Sequence, residues 1–160
     1  MSMIKAAILT VSDRCANQQQ EDHSGPALEE ILRQNGFEIA AKHVAPDEQD
    51  VIARELVHLC DEAGCDVVFT TGGTGLGPRD VTPEATCSVC ERLAPGIAEL
   101  IRAESLKKTR RAALSRGVVG LRGATLIINL PGSPKAVREC LGAILDIVPH
   151  AVKMVHGGGH

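Results

Sequence analysis

Compact apolar runs alternate along the chain with longer segments in which apolar residues recur at helical spacing. The runs at 6–11, 37–45, 66–71 and 124–130 are short and bounded by turn residues, which is typical of strands. The segment at 115–123 is punctuated by glycines and predicts an irregular or antiparallel strand. Helices are predicted from Ser24 to Gly36, from Pro46 to Gly64, from about Pro83, over 95–108 and from about residue 134 onward. The polar residues 15–23 are predicted to form a loop.

This alternation of strands and helices predicts an α/β fold with a mostly parallel sheet and helices on both of its faces. A chain of 160 residues is expected to form a single domain over 1–160, with 151–160 as a flexible tail. Ligands of such sheets bind beyond the carboxyl ends of the strands. Four loops are therefore expected to meet there, at residues 12–14, 46–48, 72–82 and 131–135.

Composition and charge narrow the choice of partners. A net charge of −3 argues against a nucleic-acid partner, because nucleic-acid-binding domains carry a basic excess. The first apolar run is too short for a signal peptide, and no run approaches the ~18 apolar residues of a spanning helix. We therefore expect a cytoplasmic protein with no membrane partner. Phe37 and Phe69 are the only Phe, Tyr or Trp residues, so a flat ligand is expected to bind without aromatic stacking.

The six cysteines are expected to be free thiols of a reducing compartment. Cys87 and Cys90 form a Cys-x-x-Cys pair, but it falls inside a predicted helix rather than at a helix start, where a redox thiolate would be stabilised. A zinc site that adds Cys60 and Cys65 has a spacing that matches no standard pattern. We therefore favour buried cysteines that act as small apolar residues over both a redox pair and a zinc site.

The most unusual stretch is TTGGTGLGPRD at 70–80, where four glycines precede an arginine and an aspartate. It is not a Walker loop, which needs Gly-Lys-Ser/Thr, and its evenly spaced glycines do not fit the dinucleotide fingerprint. Bare glycine N–H groups can nevertheless form a nest for an anion, and the helix starts after Thr82 and Ser133 add partial positive charge. The side chains that would add full positive charge are Arg14, Arg79 and Lys135.

Three aspartates on neighbouring loops, Asp13, Asp47 and Asp80, would repel a bound phosphate unless a cation lay between them. Mg²⁺ commonly binds through one or two carboxylates together with substrate phosphates. The pattern therefore predicts a Mg²⁺-dependent phosphate site. The simpler interpretation is that the glycines form tight turns, Asp47 caps a helix, and Arg79 pairs with Asp80 on the surface.

The stretch TTGGTGLGPRDVTPEAT, with SDR, PDEQ, LSRGVVG and NLPGSPK in that order along nearly the whole chain, resembles the molybdopterin adenylyltransferase family of molybdenum cofactor biosynthesis. It is also similar to the N-terminal domain of gephyrin. The resemblance implies a three-layer molybdopterin-binding fold and a homotrimer, with hexamers in one branch. It implies that Asp47 and Asp80 are catalytic and hold Mg²⁺. The residues that it implies for binding of nucleotide and pterin are Ser12, Asp13, Arg14, Thr71, Gly72, Gly73, Thr74, Gly75, Arg79, Ser115, Arg116, Pro131, Gly132, Ser133 and Lys135.

The reaction that the resemblance implies is a nucleotidyl transfer: molybdopterin and ATP are substrates, and adenylylated molybdopterin and pyrophosphate are products. Two alternatives stay open. A non-catalytic carrier would bind the pterin without releasing pyrophosphate, and an oligomeric scaffold would do neither. The presence of both Asp47 and Asp80 favours the enzyme.

The final His-Gly-Gly-Gly-His sequence is expected to belong to a disordered end rather than to a metal site.

Overall fold

The computed structural model of the chain describes residues 2–159, in which six strands form one sheet in the order β2-β1-β3-β6-β5-β4. The strands are β1 (Lys5–Val11), β2 (Glu38–Ala45), β3 (Val67–Thr71), β4 (Arg92–Leu93), β5 (Val119–Arg122) and β6 (Thr125–Leu130). The first four in spatial order run parallel, whereas β5 and β4 are antiparallel to their neighbours. The mostly parallel sheet and the antiparallel strand within 115–123 are confirmed, and the two-residue strand β4 has no counterpart in the apolar pattern.

The helices of the described residues lie between and after these strands. They are α1 (Asp13–Ala16), α2 (Ser24–Gln34), α3 (Gln49–Asp61), α4 (Thr82–Val89), α5 (Pro95–Leu106), α6 (Pro134–Gly142) and α7 (Val148–Val155), with a 3₁₀ helix at Arg110–Leu114. Proline in the first turn helps to start α4, α5, α6 and α7, because its fixed φ suits the first helical position and its missing N–H is not needed there.

Helices cover both faces of the sheet, and this confirms the three-layer arrangement. Alternate residues of each strand point to opposite faces, so Ala6 and Ile8 join one core cluster while Ala7 and Leu9 join the other. The first cluster contains apolar residues of α2, α5, α6 and α7, and the second contains those of α3 and α4. Burial on both faces explains why the parallel strands are apolar at nearly every position. None of the helices in residues 2–159 is both long and apolar enough to cross a membrane.

Three predictions of local structure are wrong. Part of the predicted loop at 15–23 belongs to α1, whose N-cap Ser12 accepts a hydrogen bond from the Cys15 N–H at 3.2 Å. Glu48, not Asp47, occupies the N-cap position of α3, because the Asp47 carboxylate is engaged by another loop. The predicted flexible tail at 151–160 is helical up to Val155, since the buried side chain of Val152 packs α7 against the sheet.

The described end of the chain is also held by a polar contact. The His156 Nε2 lies 3.0 Å from the Asp66 Oδ1, at the start of the β3 segment. The prediction of a disordered end is therefore wrong for His156, and His160 lies outside the described residues.

Candidate active site

The four loops at the carboxyl ends of the parallel strands meet around a cavity of about 480 Å³, which we call the acidic cavity. This confirms the convergence expected from the α/β pattern. The predicted site residues that line it are Ser12, Asp47, Thr71, Gly72, Gly73, Asp80, Gly132 and Ser133.

A second cavity of about 280 Å³, which we call the apolar cavity, lies on the other side of the glycine loop (residues 72–80). Ala98, Ile101 and Leu114 supply apolar parts of its wall, and Arg102 and Asn129 supply polar parts. The predicted site residues that line it are Thr74, Gly75, Ser115 and Pro131. The glycine loop thus contributes its first residues and Asp80 to one cavity, and Thr74 and Gly75 to the other.

Asp13 and Asp47 join the loops after β1 and β2 by a reciprocal pair of hydrogen bonds. The Asp13 N–H donates to the Asp47 Oδ2, and the Asp47 N–H donates to the Asp13 Oδ1, both at 2.9 Å. Each carboxylate therefore binds the backbone N–H of the other residue. The pair fixes the positions of the two loops relative to each other at the site.

Arg79 binds Asp13 with two parallel hydrogen bonds. Its Nε lies 3.1 Å from the Asp13 Oδ2 and its Nη2 lies 2.9 Å from the Asp13 Oδ1. The hydrogen bonds from Arg79, followed by the one from the Asp47 N–H, lower the pKa of Asp13 below its ordinary value. The expected alternative of a surface pair between Arg79 and Asp80 is therefore wrong, because Arg79 ties the glycine loop to the loop after β1.

The surroundings of Asp47 oppose the charged form of its carboxyl group. Burial raises the pKa of Asp47, and the nearby carboxylates of Asp13 and Asp80 raise it further, against the N–H bond from Asp13 and the charge of Arg79. The negative charges of carboxylates from three loops therefore repel one another at this edge of the sheet. A cation in the acidic cavity would relieve their mutual repulsion.

Asp80 folds the end of the glycine loop back on itself. Its N–H donates to the Gly77 carbonyl at 3.0 Å, and the Gly77 N–H donates to the Asp80 Oδ2 at 2.9 Å, which closes a turn with Pro78 at its second position. A Cβ atom at Gly75 or Gly77 would lie only 2.9 Å from the Asp80 Oδ2. The carboxylate thus lies against bare backbone, and the glycines make room for it.

The backbone of the glycine loop is only partly available for an anion. Gly72 has φ +102° and its N–H donates to the Leu130 carbonyl at 3.1 Å, so the prediction that this N–H belongs to an anion nest is wrong. Gly73 has φ +69°. Within residues 2–159, the N–H groups of Gly73 and Gly75 donate to no protein acceptor, and they remain free for a ligand. The amino terminus of α6, capped by Ser133, faces the same acidic cavity.

Five of the predicted site residues do not line either cavity: Asp13, Arg14, Arg79, Arg116 and Lys135. Asp13 and Arg79 are engaged with each other, as described above. Arg14 and Lys135 are exposed on α1 and α6. Of the predicted site residues, those that line the two cavities are therefore neutral or acidic, and the predicted cations lie outside both linings.

Asp22 lines the acidic cavity although the sequence reasoning missed it. Its Oδ2 accepts a hydrogen bond from the Thr10 hydroxyl at 2.8 Å, and its Oδ1 accepts one from the Gly25 N–H at 3.0 Å. The available signal was an aspartate three residues before the Gly25-Pro26 helix start, a spacing at which a carboxylate caps a free N–H.

The cysteines differ in exposure more than expected. All six are free thiols, and Cys60, Cys65 and Cys140 are buried as predicted, but Cys87 is exposed on α4. Burial raises the pKa of Cys60 to about 12 and that of Cys90 to about 11. A redox-active thiol has a lowered pKa instead. In residues 2–159, no group of three or more His, Cys, Asp or Glu side chains is arranged to hold a metal ion by itself.

Residues 7–150 of the chain match the sequence family described as a probable molybdopterin binding domain. A relative from Helicobacter pylori strain J99, named molybdopterin adenylyltransferase, is 46% identical over 160 residues, which cover 98% of this chain and 90% of the relative. The Escherichia coli K12 protein of the same name is 41% identical over 160 residues, which cover 98% of this chain and 80% of that protein.

A solved structure with a similar fold agrees with the family match. The molybdopterin biosynthesis enzyme MoaB from Thermus thermophilus is 50% identical and has a TM-score of 0.92, with 97% of this chain and 98% of that chain covered. The expected molybdopterin-binding fold is confirmed by this similarity.

Proposed function

This chain belongs to the family of probable molybdopterin-binding domains, and on that basis we propose that it is a molybdopterin adenylyltransferase of molybdenum cofactor biosynthesis. In the proposed reaction, the terminal phosphate of molybdopterin attacks the α-phosphorus of ATP. A new phosphoanhydride (P–O–P) bond forms between the molybdopterin phosphate and the α-phosphorus, the bond from the α-phosphorus to the oxygen that bridges to the β-phosphate breaks, and pyrophosphate leaves in line with that oxygen. The nucleophile is already an anion at neutral pH, so positioning and charge neutralisation supply most of the catalysis.

The observation that carries this proposal is the meeting of Asp47 and Asp80 in one cavity with anion-binding backbone. Asp80 ends the glycine loop, Asp47 follows β2, and both line the acidic cavity beside Gly73 and the amino terminus of α6. Carboxylates next to an anion site are unfavourable for a simple phosphate receptor. They suit a site in which a cation accompanies the phosphates.

The oxygen donors on the wall fit Mg²⁺, which we propose as the cofactor. Asp47 and Asp80 would hold it, and the substrate phosphates and water would complete its ligands, as is usual for this ion. When bound, Mg²⁺ would neutralise charge on the phosphates of ATP. Burial raises the pKa of Asp47 and the neighbouring carboxylates of Asp13 and Asp80 raise it further, and a bound cation would relieve the repulsion among these carboxylates.

The chain's own residues would bind and orient the two substrates. The free N–H groups of Gly73 and Gly75 and the amino terminus of α6 would hold phosphate oxygens. The hydroxyl groups of Thr74, on the wall of the apolar cavity, and of Ser133, on the wall of the acidic cavity, are further donors. Gly73 lines the acidic cavity and Gly75 lines the apolar cavity, so the glycine loop can contribute to the binding of both substrates.

The main competing function is that of a molybdopterin carrier without turnover. It predicts pterin binding with no pyrophosphate release, whereas a scaffold predicts neither. The pair Asp47 and Asp80 favours the enzyme, because a carrier has no need of two carboxylates beside its phosphate site.

We further propose that the chain acts in the cytoplasm as a homotrimer, with a hexamer as the alternative assembly. The free thiols suit a reducing compartment. Leu93, Leu106 and Leu114 are 53%, 46% and 53% exposed, and contact with another copy would remove their apolar surface from water. Light scattering after size-exclusion chromatography measures the mass of the assembly directly, and a monomer would contradict the trimer.

The test of the proposed reaction is the variant Asp80→Asn, assayed with Mg-ATP and molybdopterin for pyrophosphate and adenylylated product. The amide keeps the shape and can still accept the Gly77 N–H, but it lacks the negative charge that a hard cation needs. We expect the variant to fold, to bind molybdopterin, and to lose turnover by about 10²–10³-fold.

The matched control is Asp146→Asn, which removes the charge of an exposed carboxylate beyond α6. We expect it to retain wild-type turnover. Pyrophosphate release by Asp80→Asn at the wild-type rate would remove Asp80 from the catalytic site. A wild-type protein that binds the pterin but releases no pyrophosphate would support the carrier.

A further inference from the structure

Arg116, in the segment before β5, holds the glycine loop at both of its ends. Its backbone N–H donates to the Thr74 carbonyl at 2.8 Å, and its Nε donates to the Gly75 carbonyl at 2.8 Å. Its Nη2 donates to the carbonyl of Asp80 at 2.6 Å. One residue thus joins the start of the glycine loop to the residue that carries its carboxylate.

Glu84, in the first turn of α4, orients the guanidinium that makes these contacts. Its Oε2 accepts from the Arg116 Nη1 at 2.7 Å, and its Oε1 accepts from the Arg116 Nη2 at 3.1 Å. A paired contact of this kind fixes the plane of a guanidinium as well as its position. Four of the five N–H groups of the side chain are then used, since both hydrogens of Nη2 are engaged.

These contacts assign Arg116 a role other than phosphate binding. The residue lines neither the acidic nor the apolar cavity, and nearly all of its donors are used within the protein. By contrast, the loop that it holds has little packing of its own: Leu76, at the tip, is 65% exposed. The place of the loop therefore depends on hydrogen bonds rather than on apolar burial.

We propose that Arg116, oriented by Glu84, is a positioning residue that sets the location of the Asp80 carboxylate by clamping both ends of the glycine loop. The clamp acts on the main chain of Asp80, while the Gly77 N–H holds its side chain. Removal of the clamp leaves the carboxylate attached to a loop that can shift relative to Asp47. The proposal rests on the proposed adenylyl transfer for its effect on rate, and on geometry alone for its effect on the loop.

The kinetic test compares Arg116→Ala with wild type in pyrophosphate release. A displacement of about 1 Å in a reacting group can cost about 10²-fold in rate, so we expect kcat to fall by about that factor. The KM values for Mg-ATP and molybdopterin should change less than kcat does, because Arg116 itself contacts no substrate. Glu84→Gln should lower kcat by about 10-fold, as expected for the loss of an orienting partner. The double variant should be no slower than Arg116→Ala, because the two residues act as one unit.

Arg122→Ala is the matched control, because Arg122 has the same kind of contacts at another place. Its Nε and Nη2 pair with Asp61 at 3.1 and 2.7 Å, and its Nη1 donates to the Val89 carbonyl at 2.9 Å. We expect this variant to lose stability without loss of kcat. Equal loss of kcat in the two variants would overturn the proposal and leave Arg116 an ordinary structural residue.

Hydrogen exchange measured by mass spectrometry tests the clamp without the reaction. In Arg116→Ala, the peptide that contains Gly77 and Asp80 should exchange faster than in wild type, while the strands β1 and β3 stay protected. Unchanged exchange in this peptide would overturn the clamp even if kcat fell. If the wild-type protein itself releases no pyrophosphate, the proposed function fails, but the exchange result still decides the clamp.

One kinetic outcome separates the clamp from direct substrate binding. A raised KM for either substrate with unchanged kcat would show that Arg116 contacts a phosphate, which would overturn the proposal. Where Arg116→Ala does not fold, Glu84→Gln and Arg116→Lys provide the same measurements, since each keeps one partner of the pair in place. Both are then expected to show lower kcat and faster exchange in the glycine loop.

Discussion

At the scale of single residues, Asp13 shows how a carboxylate near the site serves the structure rather than a ligand. Its two oxygens accept the Asp47 N–H and both hydrogen bonds from Arg79. Arg79 is 59% exposed, so the ion pair contributes little to overall stability. Its consequence is local: the loops after β1 and β2 and the glycine loop are joined through one side chain.

We predict that Asp13→Asn and Arg79→Gln have the same effect and are not additive. Each variant breaks the paired contact, so each should lower kcat by about 10-fold and the free energy of unfolding by less than about 1 kcal/mol. The double variant should resemble either single variant, because both remove one interaction. Steady-state kinetics and urea denaturation of the three variants check this. Additive losses in kcat would show that Arg79 also binds a substrate phosphate.

At the scale of elements, the glycine loop is restricted by what surrounds it. Gly73 has φ +69°, and a Cβ atom there would collide with the Thr82 hydroxyl and lie 3.2 Å from the Asp47 Oδ1. Thr82 is fully buried, and its hydroxyl donates to the Gly72 carbonyl at 3.0 Å. The Thr82 side chain, at the start of α4, therefore lies directly against Gly73. Only a residue without a side chain fits at position 73.

We predict that Gly73→Ala destabilises the protein more than Gly123→Ala does. Gly123 also has positive φ, at +54°, but no heavy atom lies within 4 Å of the position of a Cβ. The control therefore measures the backbone cost alone, about 1–2 kcal/mol. The collision at Gly73 should add about 1–3 kcal/mol, and the shifted loop should lower turnover. Equal free energies of unfolding for the two variants would contradict the close contact.

The sequence pattern predicts most strands and helices, because periodicity reports which side of an element is buried. It also predicts that the loops carrying Asp47 and Asp80 meet, because parallel strands bring their carboxyl ends to one edge. It does not predict that Arg79 binds Asp13, or that the Gly72 N–H is used by Leu130, because these partners come from distant segments. The helix α7 is a different case, because Val148, Val152 and Val155 recur at helical spacing and the signal for a helix at this end of the chain is present in the sequence.

At the scale of the whole molecule, the two phenylalanine rings lie in the core and away from the site. Phe37 and Phe69 are 3% and 0% exposed and belong to the same cluster, with ring centroids 6.3 Å apart in an edge-to-face arrangement. Phe37 precedes β2 at the amino end of that strand, whereas Asp47 follows its carboxyl end. The only large aromatic rings of the described chain therefore lie away from the cavity walls.

We predict that molybdopterin binds to this chain without a stacked aromatic side chain. Hydrogen bonds to the pterin ring and aliphatic walls, such as those of the apolar cavity, would hold it. Phe37→Leu and Phe69→Leu should each lower the free energy of unfolding by roughly 1 kcal/mol, because they disturb core packing. The Kd for molybdopterin, measured by isothermal titration calorimetry, should stay within about threefold of wild type, since neither phenylalanine lines either cavity. A Kd raised by tenfold or more in either variant, with the fold intact, would mean that the ring reaches the ligand.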